Sequence, residues 1–295
     1  MMDLSGLLPW AGLAGATLAD ADAVIGGIPY DGSAVYRKGA ARAPERIRGL
    51  SPVMPPVTED GRNLLGMAVH DLGDLDPGPD IETGWESVAD RLASIPRRAL
   101  LTMMGGDHCS TIPIVAAQAR RHPDLRVLWV DAHPDLCDFS RGGRWTCGCA
   151  LRRALEVADL APSAGAIAGG RDYDLEELEF IEEQGMLLIG SPEMARDPEA
   201  AAQRVAEWSG GKPLHVSFDI DVLDPAAAPG TEIPSPGGLS TRNALDFLAT
   251  LALGANLVGL DITEVAPPVD HNDITSLAAL KVIFEFWGRA WKPRT

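Results

Sequence analysis

The sequence predicts an α/β fold with three layers, in which helices cover both faces of a mostly parallel sheet of about eight strands. Short apolar runs alternate with longer amphipathic stretches along the chain, which is typical of strands alternating with helices. The strand candidates are apolar throughout, as parallel strands buried on both faces usually are. The chain has 295 residues and shows no linker, repeat or low-complexity tract, so we expect one domain over residues 1–295.

The elements follow from the position of these runs along the chain. The predicted strands are 23–28, 67–71, 99–104, 126–130, 165–169, 186–189, 214–219 and 256–261. The predicted helices are 81–95, 111–122, 148–158, 174–184, 192–209, 240–252 and 274–290. Ligands of open parallel sheets bind beyond the carboxyl ends of the strands, so polar residues directly after the strands are the candidates for chemistry.

Composition excludes several classes of function. The chain has 25 Lys and Arg against 42 Asp and Glu, a formal net charge of −17, which argues against binding to nucleic acid or to an anionic membrane surface. No apolar run is long enough for a membrane helix. The first residues lack the basic segment of a secretory signal, and four cysteines in a chain of this length are no disulfide framework. We therefore expect a cytoplasmic protein.

Candidate ligands follow two of the predicted strands. His108 comes after strand 99–104 and a pair of glycines, which allow a sharp turn close to a ligand. Asp131, His133 and Asp135 follow strand 126–130 at alternate positions, and in extended backbone alternate side chains point to the same side. These four side chains are expected at one edge of the sheet.

A third strand, 214–219, ends in two more carboxylates, Asp219 and Asp221. Together with the residues above they make two imidazoles and four carboxylates, and the carboxylates would repel one another strongly if buried without cations. Oxygen and imidazole ligands without thiolate favour Mn²⁺ or Mg²⁺ over structural Zn²⁺. Six such ligands indicate a site for two ions.

Longer sequence blocks carry a resemblance to a known family. The blocks are GGDH at 105–108, DAHPD at 131–135, the stretch 217–238 that begins SFDIDVLDP, GLDITEVAPP at 259–268 and the stretch 27–48 that begins GIPYDG. The chain resembles the ureohydrolases, which comprise arginases, agmatinases and related amidinohydrolases of guanidino compounds. The amino-terminal block is more similar to the agmatinase branch. The resemblance implies an arginase-type fold and a homo-oligomer, a trimer or a hexamer.

The resemblance also implies a cofactor and a reaction. Two Mn²⁺ per chain would be held, one by His108, Asp131, Asp135 and Asp219 and the other by Asp131, His133, Asp219 and Asp221. Agmatine or a related ω-guanidino compound would be hydrolysed to urea and an amine by a hydroxide that bridges the metals. Glu264 would pair with the guanidinium of this small-molecule substrate, and Asp135 would pass the proton to the leaving nitrogen.

Two residues depart from the family pattern. Cys147 stands where the family usually has a histidine, and it is a substitute acid or base, a pocket residue suited to another substrate, or a mark of a catalytically weak site. Glu232 stands in a loop where the family often has Gly-Thr. This added carboxylate either favours a cationic substrate or faces solvent.

The residues that recognise the far end of the substrate are open to two interpretations. Asp174 and Glu177 match positions that hold the α-ammonium group in arginases, but an acidic start is also what helix 174–184 favours for its own stability. Arg141 and Arg144 would suit a carboxylate tail, or belong to a solvated loop.

Three alternatives to agmatine hydrolysis remain at this point. One is a family member without activity that serves as a metal-binding partner subunit. The presence of Cys147 in place of the family histidine suggests this alternative. Another is an amidinohydrolase specialised for an arginine derivative in secondary metabolism. The third is an amide-cleaving metallohydrolase on the related deacetylase-type fold.

Overall fold

A computed structural model describes residues 8–78 and 81–293, so residues 1–7 of the segment considered for a signal lie outside the described part. All eight predicted strands are present and pair in parallel in one sheet. The strands are β1 (Ala23–Gly27), β2 (Val69–Asp74), β3 (Leu100–Met104), β4 (Arg126–Val130), β5 (Gly165–Gly170), β6 (Leu187–Gly190), β7 (Pro213–Asp219) and β8 (Asn256–Thr263).

The strand order across the sheet is β2-β1-β3-β8-β7-β4-β5-β6. The last strand of the chain, β8, therefore lies in the middle, between β3 and β7. The four central strands are β3, β8, β7 and β4, and these are the strands that precede the candidate functional residues. Because all of them run in one direction, their carboxyl ends meet at one edge of the sheet.

The helices agree with prediction in all but two places. They are α1 (Ala43–Leu50), α2 (Ile81–Ala93), α3 (Thr111–Arg121), α4 (Ala150–Val157), α5 (Leu175–Glu183), α6 (Ser191–Arg196), α7 (Pro198–Ser209), α8 (Thr241–Gly254) and α9 (Ile274–Ala290). The short helix α1 was not predicted. The predicted helix 192–209 is wrong as one element, because Asp197 leaves helical geometry before Pro198 and instead caps α7 by accepting from the Ala200 N–H at 2.9 Å.

Two apolar cores lie on opposite faces of the sheet and confirm the three-layer arrangement. Neighbouring strand residues point into different cores: Ile25 belongs to the core that includes residues of α1, α7, α8 and α9, whereas Val24 belongs to the core that includes residues of α2, α3 and α4. Burial on both faces explains why most strand positions in the centre of the sheet are apolar. Among the described residues, each helix is too short or too polar to cross a bilayer.

Candidate active site

The carboxyl ends of the four central strands surround a cavity of about 250 Å³. His108 follows β3, Asp131 to Asp135 follow β4, and Glu264 follows β8. The lining residues that were predicted as site residues are His108, His133, Asp135, Cys147, Asp174, Glu177, Asp219, Asp221, Glu232 and Glu264. Residues that are far apart in the sequence thus line the same cavity.

Two clusters of candidate metal ligands lie at the cavity floor and share Asp131. In the first, His108 Nδ1 lies 2.9 Å from Asp131 Oδ2, 3.0 Å from Asp219 Oδ2 and 3.3 Å from Asp135 Oδ2. In the second, His133 Nδ1 lies 3.0 Å from Asp221 Oδ2 and 3.4 Å from Asp131 Oδ1. Asp219 contacts only the first imidazole, and Asp135 lies outside both clusters although it contacts His108. The assignment of these residues to two metal ions, and the bridging role of Asp219, stay predictions.

The electrostatics of these clusters suit bound cations. Burial and the charge of Asp221 raise the pKa of Asp219 well above its usual range, and burial with the charge of Asp131 raises the pKa of Asp135 to about 8. His108 Nδ1 and Asp131 Oδ2 are fully buried, yet neither makes a hydrogen bond of normal geometry within the part of the chain that the structure describes. A set of convergent lone pairs on oxygen and nitrogen, with mutual repulsion and no proton donor between them, fits a pair of divalent cations.

Glu264 presents one carboxylate oxygen to the cavity. Its Oε1 accepts from the backbone N–H of His108 at 2.7 Å, whereas its buried Oε2 has no hydrogen-bond partner among the described residues. Burial and the charge of Asp219 raise the pKa of Glu264 well above its usual range. Glu264 has φ 62° and Asp135 has φ 54°. Such left-handed backbone is costly for residues other than glycine and is often found at functional sites.

Glu232 faces the cavity rather than solvent, with only 1% of its surface exposed. Its Oε1 accepts from the backbone N–H groups of Val35 and Tyr36, the second at 3.0 Å. Its Oε2 is buried without a hydrogen-bond partner. The structure therefore favours the interpretation that this departure from the family pattern affects the substrate pocket.

Cys147 lies on the cavity wall. Burial, together with the charges of Glu264 and Asp135, raises the pKa of the Cys147 thiol well above its usual range. A protonated thiol is a small, uncharged group and a poor base. These observations favour a role in shaping the pocket, and a catalytic role for Cys147 stays a prediction.

The candidates for the far end of the substrate separate into two groups. Glu177 uses both oxygens within the protein, accepting from the N–H groups of Leu136 at 2.8 Å and Asp174 at 2.9 Å, as expected for the start of α5. The Asp174 side chain is exposed at the cavity. Arg141 also lines the cavity, whereas Arg144 forms surface ion pairs. Of these predicted candidates, Arg141 and Asp174, whose carboxylate also accepts from Cys137 Sγ at 3.6 Å, are the charged groups that a substrate tail can reach.

Arg171, which directly follows β5, lies in the segment 170–177 that resembles the family's region for the far end of the substrate, but the sequence assigned it no role of its own. Its guanidinium donates to the backbone carbonyls of Asp221 at 2.6 Å and Ser235 at 2.8 Å. It therefore ties the loop that carries a metal-ligand candidate to the loop that closes the cavity. The rule that polar residues after strands belong to the site would have included it.

Comparison with known proteins identifies the family. The arginase family model matches residues 21–288. The chain belongs to the arginase family. An agmatinase of Neisseria gonorrhoeae is 35% identical over 276 residues, covering 90% of this chain and 86% of the relative. A guanidinopropionase of Pseudomonas aeruginosa is 35% identical over 269 residues, covering 88% of this chain and 83% of the relative.

The arginase fold is confirmed by a solved structure. The proclavaminate amidinohydrolase of Streptomyces clavuligerus superposes with a TM-score of 0.88 at 30% identity, covering 98% of this chain and 99% of that one. Relatives of this chain are hydrolases that act on C–N bonds of linear amidines, and the arginase family depends on a binuclear metal centre. The predicted ureohydrolase resemblance is thereby confirmed. The relatives differ in the substrate that their names state.

Proposed function

We propose that this protein is a Mn²⁺-dependent amidinohydrolase that converts an ω-guanidino compound to urea and an amine. The observation that carries the proposal is the arrangement of two His–Asp clusters joined by Asp131, beside the free Oε2 of Glu264. Metal ligands and an acceptor for a planar cation thus face the same cavity of about 250 Å³.

The chain's own residues suit each part of this reaction. A pair of Mn²⁺ ions, when bound, lowers the pKa of a water molecule so that a nucleophile is available near neutral pH. The Glu264 carboxylate accepts N–H bonds from the guanidinium and so orients its central carbon. Asp135, which lines the cavity with its Oδ2 3.3 Å from His108 Nδ1, carries the proton to the leaving amine.

The cavity wall favours a substrate with a charged tail. Asp174 is available to an ammonium group, as in agmatine, and Arg141 is available to a carboxylate, as in an ω-guanidino acid or an arginine derivative. Glu232 adds negative charge next to Glu264 and supports a cationic head group. We therefore propose guanidino compounds of both tail types as candidates, and the variants below distinguish them.

The experiment is a measurement of urea release from a panel of guanidino compounds with saturating Mn²⁺. We expect urea from at least one compound, and none from Asp131→Ala, because that change removes a ligand from both clusters. For a substrate with a carboxylate tail, Arg141→Ala should raise KM at least tenfold, equivalent to about 1.4 kcal/mol. For a substrate with an ammonium tail, Asp174→Asn should do so instead.

Absence of urea from the whole panel, in protein that binds Mn²⁺, contradicts the proposal. It would favour the alternative of a metal-binding subunit without activity. Activity that appears only after Cys147→His would be the positive evidence for that alternative.

A further inference from the structure

A chain of buried hydrogen bonds lies behind the candidate metal site. The His108 ring stacks on Trp129 with a centroid distance of 3.8 Å, and its Nε2 lies 2.9 Å from Ser217 Oγ. Ser217 Oγ in turn donates to Asp261 Oδ1 at 2.9 Å. Each of these four side chains is at most 1% exposed, so the contacts are shielded from water.

The same chain continues away from the site. Asp261 Oδ2 lies 2.6 Å from His215 Nε2, and His215 Nδ1 lies 3.2 Å from Gln118 Nε2. Gln118 Oε1 accepts from Arg121 Nη1 at 2.5 Å, and Arg121 also donates to the backbone carbonyl of Ala99 at 2.7 Å. This series of hydrogen bonds therefore starts at Arg121, which is bonded to the backbone, and ends at His108, a candidate metal ligand.

The direction of each hydrogen bond follows from Arg121. A guanidinium has no acceptor, so the Gln118 group facing it must be the carbonyl oxygen. The amide nitrogen of Gln118 therefore donates to His215 Nδ1, which must be unprotonated. His215 then carries its proton on Nε2 and donates it to Asp261.

The direction continues to His108. Asp261, as a carboxylate, only accepts, and its Oδ1 takes the hydroxyl protons of Ser217 and of Thr111, the second at 2.7 Å. Ser217 has a single proton, and of its two neighbouring acceptors, Asp261 Oδ1 at 2.9 Å and Thr111 Oγ1 at 3.2 Å, the carboxylate is closer and charged. With that proton donated to Asp261, the Ser217 oxygen accepts from His108 Nε2–H. The Nδ1 lone pair of His108 is then free on the side of Asp131 and Asp219.

We propose that Asp261 is a positioning residue that holds His108 in the tautomer needed for a metal ligand. The inference rests on the proposed metal centre. It adds a role for Asp261, a residue that does not line the cavity. Hydrogen bonds to the second nitrogen of a ligand histidine commonly fix its ring and tautomer, and their loss lowers metal affinity about 10- to 100-fold.

The test is a titration of metal-free protein with Mn²⁺, in which unbound Mn²⁺ is measured by electron paramagnetic resonance. We expect two ions per wild-type chain. Asp261→Asn places an amide beside Ser217 that donates rather than accepts, so Ser217 can turn its proton toward His108. We expect the affinity for one ion to fall about 10- to 100-fold, and the affinity for the ion near His133 to change less than about threefold.

Two further variants make the result specific. Thr102→Val is the matched control, because Thr102 is a buried residue of β3 whose hydroxyl accepts from Trp287 Nε1 at 2.8 Å, outside the chain of hydrogen bonds. It should bind both ions as wild type does. Ser217→Ala removes the group between Asp261 and His108, and it should weaken the same single ion. Ser217→Ala also provides the test of the proposal if Asp261→Asn does not fold.

The outcomes separate the two proposals. Wild-type protein that binds no Mn²⁺ overturns the proposed metal-dependent function. Wild type that binds two ions, with Asp261→Asn or Ser217→Ala either unchanged or weakened equally at both ions, overturns the positioning role and leaves the proposed function standing. Selective loss of one ion supports both.

Discussion

Glu264→Gln should separate substrate binding from protein stability. The amide oxygen can still accept from the His108 N–H, now at 2.7 Å from Oε1, so the local backbone should be kept. The variant loses the negative charge that faces the guanidinium from a residue only 4% exposed. Removing one partner of a buried charge pair costs about 3–5 kcal/mol. At about 1.4 kcal/mol per factor of ten, kcat/KM should fall by roughly two to three and a half orders of magnitude.

Stability of the metal-free variant should move in the opposite direction. Burial raises the pKa of Glu264, so above the unfolded pKa the folded state binds more protons than the unfolded state and loses stability as pH rises. The neutral amide in Glu264→Gln does not titrate, so the variant does not lose stability in this way. We therefore expect metal-free Glu264→Gln to melt at an equal or higher temperature than wild type at pH 7.5.

The assay combines urea release with thermal melting by circular dichroism. Glu285→Gln is the control, because Glu285 is a buried carboxylate of α9 paired with Lys281 at 2.6 Å, outside the cavity lining. It should retain activity. A fall in kcat/KM below tenfold for Glu264→Gln, or an equal loss for Glu285→Gln, would refute the assignment of Glu264 to the guanidinium.

Two further predictions concern His122 and Cys147. Burial and the charge of Arg121 lower the pKa of His122 to about 4, so its contribution to stability is lost as pH falls below the unfolded pKa of about 6.5. Between pH 7.5 and 5 the lost free energy of unfolding is about 2 kcal/mol. In urea unfolding, the free energy of unfolding of His122→Gln should therefore change with pH by about that much less than the wild-type value. An unchanged pH dependence would contradict this assignment. Cys147→Ser should keep kcat within about threefold and leave the pH–rate profile in place, whereas a shifted profile would indicate proton transfer by the thiol.

The fold was largely predictable because its strands carry a strong signal. A strand such as β4 is buried on both faces from Val127 to Val130, so these positions must be apolar, and helices separate the strand from its neighbours in the sequence. Helix boundaries depend on weaker local effects. The break at Asp197 results from one proline and one capping side chain, which the helical periodicity of the surrounding residues conceals.

The candidate metal ligands were predictable because they directly follow strands, as His108 and Asp131 do. The division of these ligands into two sets came only from the family resemblance and not from the strand pattern, since it depends on the order of strands across the sheet. Asp261 was also missed as a positioning residue, because a polar residue inside an apolar strand gives no indication of its partners. Thr111 and Ser217 reach it from a helix and another strand, which only the packed structure shows.

The central place of β8 affects the order in which the protein can assemble. His108 and Asp219 lie on either side of β8, the strand that pairs with both β3 and β7. During synthesis these two residues cannot be held together until residues 256–263 have left the ribosome, although the other candidate ligands are complete by Asp221. A cation bound by both His108 and Asp219 would stabilise chains in which β8 has inserted between β3 and β7. Metal binding would thus discriminate finished molecules from truncated ones.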